Sequence, residues 1–161
     1  MDKTAIKSKD SPREKKLSDS VGCTAHVVLI TEKHYVVANS GDSRSVLYRG
    51  SQAYALSIDH KPENQVESHR ILNAGGKIEK GRINSGLNLS RSFGDFSYKK
   101  NERLPAEKQM VICHPDVKVY ERSSKDKFLL LGCDGIFEKY NQDEGPLVQK
   151  INKYLKKRLD S

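Results

Sequence analysis

Three β-rich runs separated by very short breaks limit the fold more than any other feature of this sequence. The runs occupy residues 27–31, 35–39 and 45–48, and a fourth short run follows at residues 53–56. The breaks between them, "EKH", "SGDS" and "RGSQ", have turn-like composition. A parallel crossover needs about a dozen residues or more, so these breaks predict that consecutive strands are antiparallel neighbours in a meander. We expect its buried side chains to include Val28, Ile30, Val36 and Ala38.

The rest of the chain adds helices and one more pair of strands. Pro62 suits the first turn of a helix that runs through "ENQVESHRILNAGG" to a glycine pair. Residues 77–112 are predicted to be rich in loops, and residues 117–121 and 127–131 to form another antiparallel pair. Pro146 can begin a last helix, whose apolar stripe recurs every four residues at Leu147, Ile151, Leu155 and Leu159. The sequence therefore predicts an α+β chain.

Length and composition restrict the class of protein. The chain has 161 residues, of which 35% are hydrophobic and 31% are charged, as expected for one modest domain. Residues 1–20 have no apolar period and are predicted to be a disordered or frayed lead-in. The chain has no apolar run of about 20 residues and no apolar signal region, so we expect neither a membrane span nor secretion.

The three cysteines indicate a reducing environment. Cys23, Cys113 and Cys133 are far apart, and no C-x-x-C pair occurs. This pattern favours free thiols over a disulfide framework or a zinc site. Together with the missing signal region, it predicts a cytoplasmic or nuclear location.

Three acidic residues stand out by their context. Phe128 to Leu131 form a continuous apolar run typical of a fully buried strand, and Asp134 follows its end. Glu138 comes four residues later, and Asp42 lies in the "SGDS" break. Carboxylates without His or Cys suit hard cations such as Mg²⁺ or Mn²⁺. From the residues alone, the simpler interpretation is that Asp42 is a turn former and Asp134 a helix N-cap.

A second candidate feature is the polar segment of residues 81–100. It contains glycine, asparagine, serine and arginine, with Phe93 and Phe96 as possible anchors. A surface loop would explain this composition. However, irregular stretches longer than about 12–15 residues within a compact domain are usually functional lids or binding loops.

Seven short motifs occur in order, and together they resemble the metal-dependent protein serine/threonine phosphatases of type 2C. The motifs are "GCTA", "VANSGDSR", "DHKP", "AGG", "GRINSGLNLSRSFGDFSYK", "HPDV" and "CDGIFE". The resemblance implies a sandwich of antiparallel sheets flanked by helices, in an αββα order, with residues 21–161 forming part of such a domain. It also implies hydrolysis of phosphoserine and phosphothreonine in protein substrates by water activated with Mn²⁺ or Mg²⁺.

The resemblance also suggests roles for individual residues. Asp134 matches an aspartate that binds the core metals. Asp42 and Glu138 match acidic positions that hold a further, weaker metal together with Asp134, although Glu138 stands where aspartate is usual. The segment after Arg91 matches the region leading into a mobile flap, so Arg91, Asp95 and Lys99 are candidates for the substrate side.

Several motifs of the same family are absent from these 161 residues. They are an arginine followed by a Glu-Asp pair, an Asp-Gly-His-Gly-Gly strand end and a late Asp-Asn pair. We therefore expect a partial domain with little or no activity by itself. It could be a truncated product of an active enzyme, or a non-catalytic pseudophosphatase or binding module.

The basic balance supports a third hypothesis. The formal net charge is +8, and residues 147–161 contain five basic residues against one acid. This helix could bind nucleic acid or acidic lipid. No aromatic platform or nucleic-acid motif accompanies the lysines, so we expect no specific nucleic-acid partner and favour a solvated helix face. The sequence gives no prediction of oligomeric state.

Overall fold

The computed structural model of the protein describes residues 19–140 and 144–159. The strands are β1 (Gly22–Cys23), β2 (Ala25–Ile30), β3 (His34–Ser40), β4 (Arg44–Arg49), β5 (Gln52–Ala55), β6 (Ile78–Glu79), β7 (Arg82–Ile83), β8 (Phe93–Gly94), β9 (Asp116–Glu121) and β10 (Asp126–Gly132). The helices are α1 (Gln65–Asn73), α2 (Asp134–Phe137) and α3 (Gly145–Leu159), with short 3-10 turns at Phe96–Tyr98, Ala106–Lys108 and Glu138–Tyr140.

Two antiparallel sheets of three strands each form the centre of the described structure. Sheet I has the strand order β2-β3-β9, and sheet II has the order β10-β4-β5. The pairs β1–β8 and β6–β7 form two small antiparallel ribbons. This arrangement confirms the predicted α+β fold with antiparallel sheets.

The predicted strands are present, but two of the predicted pairings are wrong. Strands β3 and β4 are consecutive in sequence, yet β3 belongs to sheet I and β4 to sheet II. Likewise, β9 pairs with β3 while β10 pairs with β4. A short connection can turn the corner between two packed sheets as well as join two neighbours in one sheet. At the first corner Gly41 has a φ of +124°, a conformation that L side chains rarely adopt.

The predicted buried face of the first strands is also corrected. None of the four expected side chains is buried: Val28, Val36 and Ala38 are half-buried, and Ile30 is 56% exposed. The residues buried in β3 are of the opposite parity, Tyr35 and Val37. Val28 lies opposite Val37 and so shares its face, whereas Val36 and Ala38 point to the other side. The register of the β2–β3 hairpin determines which side chains of the two strands face the core, and this register could not be predicted from the composition of the turn.

Among the described residues, three apolar clusters hold the elements together. Tyr35, Val37, Leu47 and Leu56 pack between the two sheets. The other face of sheet II carries Val46 and Tyr48 and is covered by the helical segments, which contribute Phe137, Leu147 and Val148. The third cluster lies against α1 and contains Ile71, Ile83 and Val111.

The outer face of sheet I is apolar and exposed. Two cross-strand rows form it, Val27–Ala38–Val117 and Leu29–Val36–Val119. The side chains from the two edge strands are 59–60% exposed. Among the described strands, β2 and β9 form the edges of sheet I, and an exposed apolar face on such a sheet favours association with other chains.

Strand β10 lies at the edge of sheet II, which explains another difference from the sequence prediction. The run Phe128 to Leu131 was expected to be fully buried, but its first three residues are only half-buried and Leu131 is 45% exposed. Among the described strands, β10 pairs only with β4, so one side of it has no neighbouring strand.

Both predicted long helices are present, with changes at their ends. Helix α1 begins at Gln65, after Pro62, and ends before Gly75, which has a φ of +89°. In α3 the predicted stripe buries Leu147 and partly buries Ile151, but Leu155 is 44% exposed. The side chain of Leu159 lies outside the described part of the structure. No helix in residues 19–140 or 144–159 combines the length and apolarity needed to cross a membrane.

The predicted lead-in is described only at its end. Residues 1–18 lie outside the described residues, and residues 19 and 20 are helical. The domain boundaries expected from the sequence stay a prediction.

Candidate functional site

The pairing of β4 with β10 brings two of the predicted acidic residues to the same end of sheet II. Arg44, the first residue of β4, lies opposite Gly132, the last residue of β10. Asp42 comes two residues before the first and Asp134 two residues after the second. Both therefore lie at this end of the sheet. Together with Glu138 they line a cavity of about 360 Å³, which we call the acidic cavity; its other lining residues are Arg44, Asp59, Lys61 and Phe137.

Asp134 and Glu138 are at the mouth of the acidic cavity. Asp134 is the first residue of α2, and its Oδ1 accepts a hydrogen bond from the Gly135 amide at 2.7 Å. Glu138 directly follows α2, about one helical turn away. Asp134 is therefore within the first turn of α2 and is not its N-cap, which is Cys133. Both residues are exposed, so the Asp134 carboxylate needs no partner to compensate for burial.

Asp42 is different because it is buried and already paired. Its residue is 8% exposed, and its Oδ2 accepts a hydrogen bond from Nζ of Lys61. Lys61 is partly exposed, and its ammonium neutralises the Asp42 carboxylate inside the acidic cavity.

Arg44 forms the cationic wall of the acidic cavity. Its Nε and one terminal nitrogen donate to the two carboxylate oxygens of Asp59 at 3.0 and 2.9 Å, a bidentate pair. The other terminal nitrogen donates to Glu144, and the guanidinium lies 5.0 Å from the ring centre of Phe137. Sequence analysis assigned no role to Arg44, Asp59 or Lys61, although they occur in the quoted motifs "VANSGDSR" and "DHKP".

The side chains of the acidic cavity offer carboxylate oxygens, the type of ligand that hard cations prefer. Asp59 is committed to Arg44, and Asp42 to Lys61, whereas Asp134 and Glu138 make no ion pair within the described residues. Within that same part of the chain, no group of three or more His, Cys, Asp or Glu side chains is arranged to hold a metal ion. Asp134 and Glu138 are nevertheless oxygen donors of the type that Mn²⁺ and Mg²⁺ prefer, and the role of these two residues and of Asp42 as metal ligands stays a prediction.

The three substrate-side candidates are placed around a tight turn. Arg91 and Asp95 are each 7% exposed. Asp95 has a φ of +50° and accepts a hydrogen bond from Ser92 Oγ at 2.6 Å, and Lys99 Nζ donates to the Ser92 carbonyl at 2.7 Å. Lys99 and Phe96 line a separate cavity of about 590 Å³. The flap role of these residues stays a prediction.

A buried ion network, which sequence analysis missed, surrounds Arg91. Glu67 on α1 is 2% exposed and accepts hydrogen bonds from Arg91, Arg70 and Ser90 at 2.6–3.2 Å. Burial raises the pKa of Glu67, but these hydrogen bonds more than offset it and hold the pKa at about 2. The only indication in the sequence was the placement of a Glu and an Arg three residues apart on a predicted helix, which is common on exposed helices too.

Comparison with known proteins identifies the family. The profile of protein phosphatase 2C matches residues 1–158. The chain is 49% identical over 147 residues to a probable protein phosphatase 2C 21 of Arabidopsis thaliana, covering 91% of this chain and 41% of that protein. It is also 49% identical over 134 residues to a probable protein phosphatase 2C 2 of Paramecium tetraurelia, covering 83% of this chain and 44% of the relative.

A solved structure agrees with the sequence relatives. The crystal structure of a phosphatase from a pathogenic strain of Toxoplasma gondii superposes with a TM-score of 0.74 at 36% identity, covering 80% of this chain and 40% of that one. The chain thus spans about two fifths of the length of these three proteins. The motif order, the antiparallel two-sheet fold and these matches show that the chain belongs to the protein phosphatase 2C family.

Proposed function

We propose that the acidic cavity is part of the metal centre of a protein serine/threonine phosphatase. The observation that carries this proposal is the β4–β10 register, which supports a shared site by setting Asp42 and Asp134 at one end of sheet II. Asp134 and Glu138 would hold Mn²⁺ or Mg²⁺, with Asp42 as a further ligand. When bound, such an ion supplies activated water and neutralises charge on a phosphoryl group.

The other residues of the cavity would set its electrostatics. Arg44 pairs with both Asp59 and Glu144, so these three side chains together carry one net negative charge, and the bidentate Arg44–Asp59 geometry holds the guanidinium against Phe137. Asp134 and Glu138 then add negative charge at the exposed mouth of the cavity. A phosphoprotein substrate would meet this charge unfavourably until it is neutralised, so the site favours cation binding before substrate binding.

We further infer that this chain of 161 residues does not turn over phosphopeptide by itself. Three carboxylates, one of them paired with Lys61, are too few to hold two cations that each need near-octahedral oxygen ligation. The other ligand motifs of the family are absent from the sequence. The cavity would therefore work only together with residues that this sequence does not contain.

Cation binding and turnover can be measured separately. Calorimetric titration of Mn²⁺ into the wild type should show weak binding that the Asp134→Asn variant loses, with Glu32→Gln, in the exposed β2–β3 turn, as a control. Equal binding by the wild type and Asp134→Asn would reject the site. A phosphopeptide assay in millimolar Mn²⁺ should show no turnover above the Asp134→Asn background. Turnover by the wild type that depends on Asp134 would contradict the inferred inactivity while supporting the family chemistry.

A further inference from the structure

The corner that carries Asp42 is held by the backbone and ring of one histidine. The Gly41 amide donates to Nδ1 of His60 at 3.1 Å, and the His60 amide donates to the Gly41 carbonyl at 3.0 Å. Nδ2 of Asn39 also donates to this carbonyl, at 3.1 Å. Gly41 therefore has both of its peptide groups fixed directly before Asp42.

The hydrogen bonds around the His60 ring define its tautomer. The residue is 3% exposed, and burial together with the charge of Arg91 lowers the pKa of His60, so the ring is neutral near pH 7. Since Nδ1 accepts from the Gly41 amide, Nε2 carries the proton. It lies 3.2 Å from Oδ2 of Asp116 and donates to it.

Asp116 is in turn fixed by the buried ion network. Its Oδ1 accepts from Arg91 at 2.8 Å, and Arg91 is held on its other side by Glu67. A continuous path of hydrogen bonds thus leads from α1 through Arg91, Asp116 and His60 to the Gly41 amide.

We propose that His60 is the positioning residue of Asp42, because its ring fixes the Gly41 peptide and so sets the direction of the next carboxylate into the acidic cavity. The corner is also tightly packed around Gly41. A Cβ added there would lie 2.4 Å from the Thr24 side chain and 3.1 Å from the Arg91 carbonyl oxygen, so the backbone passes close to both. The consequence for cation binding rests on the proposed function, whereas the fixing of Gly41 does not.

Two substitutions of His60 distinguish the role of Nδ1 from that of Nε2. In His60→Asn, the side-chain oxygen can take the place of Nδ1 and accept from Gly41. In His60→Gln, the amide reaches only the position of Nε2 and can contact Asp116. The readouts are hydrogen exchange at the Gly41 amide without metal and the Mn²⁺ dissociation constant, and His69→Asn on the exposed side of α1 is the control.

We expect His60→Asn to keep the Gly41 amide protected and to bind Mn²⁺ within about threefold of the wild type. His60→Gln should lose the protection and bind about tenfold more weakly, the size of effect seen when groups that orient metal ligands are removed. Unchanged protection in His60→Gln, or equal loss in both variants, would overturn the proposal. If the wild type binds no Mn²⁺, the proposed function fails, but the exchange data still decide the role of His60.

Asp116→Asn gives a second test that leaves His60 itself unchanged and replaces a side chain that is 49% exposed. An amide can offer its N–H to Nε2 and so favour the opposite ring tautomer, whose Nδ1–H cannot accept from Gly41. We expect faster exchange at the Gly41 amide in this variant. Exchange as slow as in the wild type would contradict the proposed path even if the His60 variants do not fold.

Discussion

Replacing Glu67 with glutamine removes the negative charge at the centre of the buried ion network. The Glu67 side chain is 3% exposed, so solvent does not screen its interactions with Arg91 and Arg70. The structure lowers its pKa from 4.5 to about 2. At about 1.4 kcal/mol for each tenfold change in proton affinity, this difference contributes about 3 kcal/mol to folding at pH 7.

The contribution of Glu67 depends on pH with a defined sign. The carboxylate form is favoured in the folded state, so the stabilisation is complete above the unfolded-state pKa of 4.5 and is lost as the pH falls towards about 2. At pH 3.5 it should have fallen to about 2 kcal/mol. Glutamine cannot ionise, so the Glu67→Gln variant lacks this part of the pH dependence and leaves Arg91 with Asp116 as its remaining counter-charge.

Urea unfolding of the wild type, Glu67→Gln and Glu63→Gln at pH 7 and pH 3.5 measures both effects. Glu63 is exposed and lies shortly before α1, so its substitution should change the free energy of unfolding by less than about 0.5 kcal/mol. We expect Glu67→Gln to be about 3 kcal/mol less stable than the wild type at pH 7, with a smaller difference at pH 3.5. A difference below about 1 kcal/mol at pH 7, or one that does not change with pH, would refute this reasoning.

Three further predictions concern the acidic cavity, the core and the outer face of sheet I. In Lys61→Gln the ammonium no longer competes for Asp42, so calorimetry should show Mn²⁺ affinity raised about two- to fivefold, and weaker binding would mean that Lys61 does not oppose the cation. Phe137→Ala should lower the free energy of unfolding, measured in urea, by about 3–5 kcal/mol, because Phe137 is 5% exposed and lies within a packed apolar cluster. A loss below about 1 kcal/mol would contradict that packing. Leu29→Lys should reduce self-association in concentration-dependent light scattering without loss of stability, since Leu29 is 59% exposed. Scattering equal to that of the wild type would show that this face does not cause association.

The strands could be predicted from the sequence because the tendency to form a strand depends mainly on the residues of that segment and its flanking turns. The β-branched runs and the turn-like breaks located β2 to β5 to within a few residues. Their partners could not be predicted in the same way, because the "SGDS" break serves as a corner between two sheets and not as a hairpin. A four-residue break is compatible with either geometry, and only the packing of the whole chain decides between them.

Context and spacing selected Asp42, Asp134 and Glu138 from the sequence, and the order of the motifs gave them a predicted role. The structure places Asp134 at the start of α2 and Glu138 just after its end. The pairing of Asp42 with Lys61 and the burial of Glu67 depend on contacts between segments far apart in sequence. Charge pattern alone does not distinguish a buried ion network from a solvated one.

The strand order of the two sheets has a consequence for how the chain is made. Strand β3 can pair with β9, and β4 with β10, only after about 80 further residues have been synthesised. Chain closure over such distances is entropically unfavourable, and topologies dominated by distant pairs fold slowly. During synthesis the β2–β3 and β4–β5 hairpins can form early, but neither sheet is complete until residues 116–132 have been made. Until then the open strand edges are available to other chains, so slower synthesis of the segment between β5 and β9 should lower the yield of folded protein.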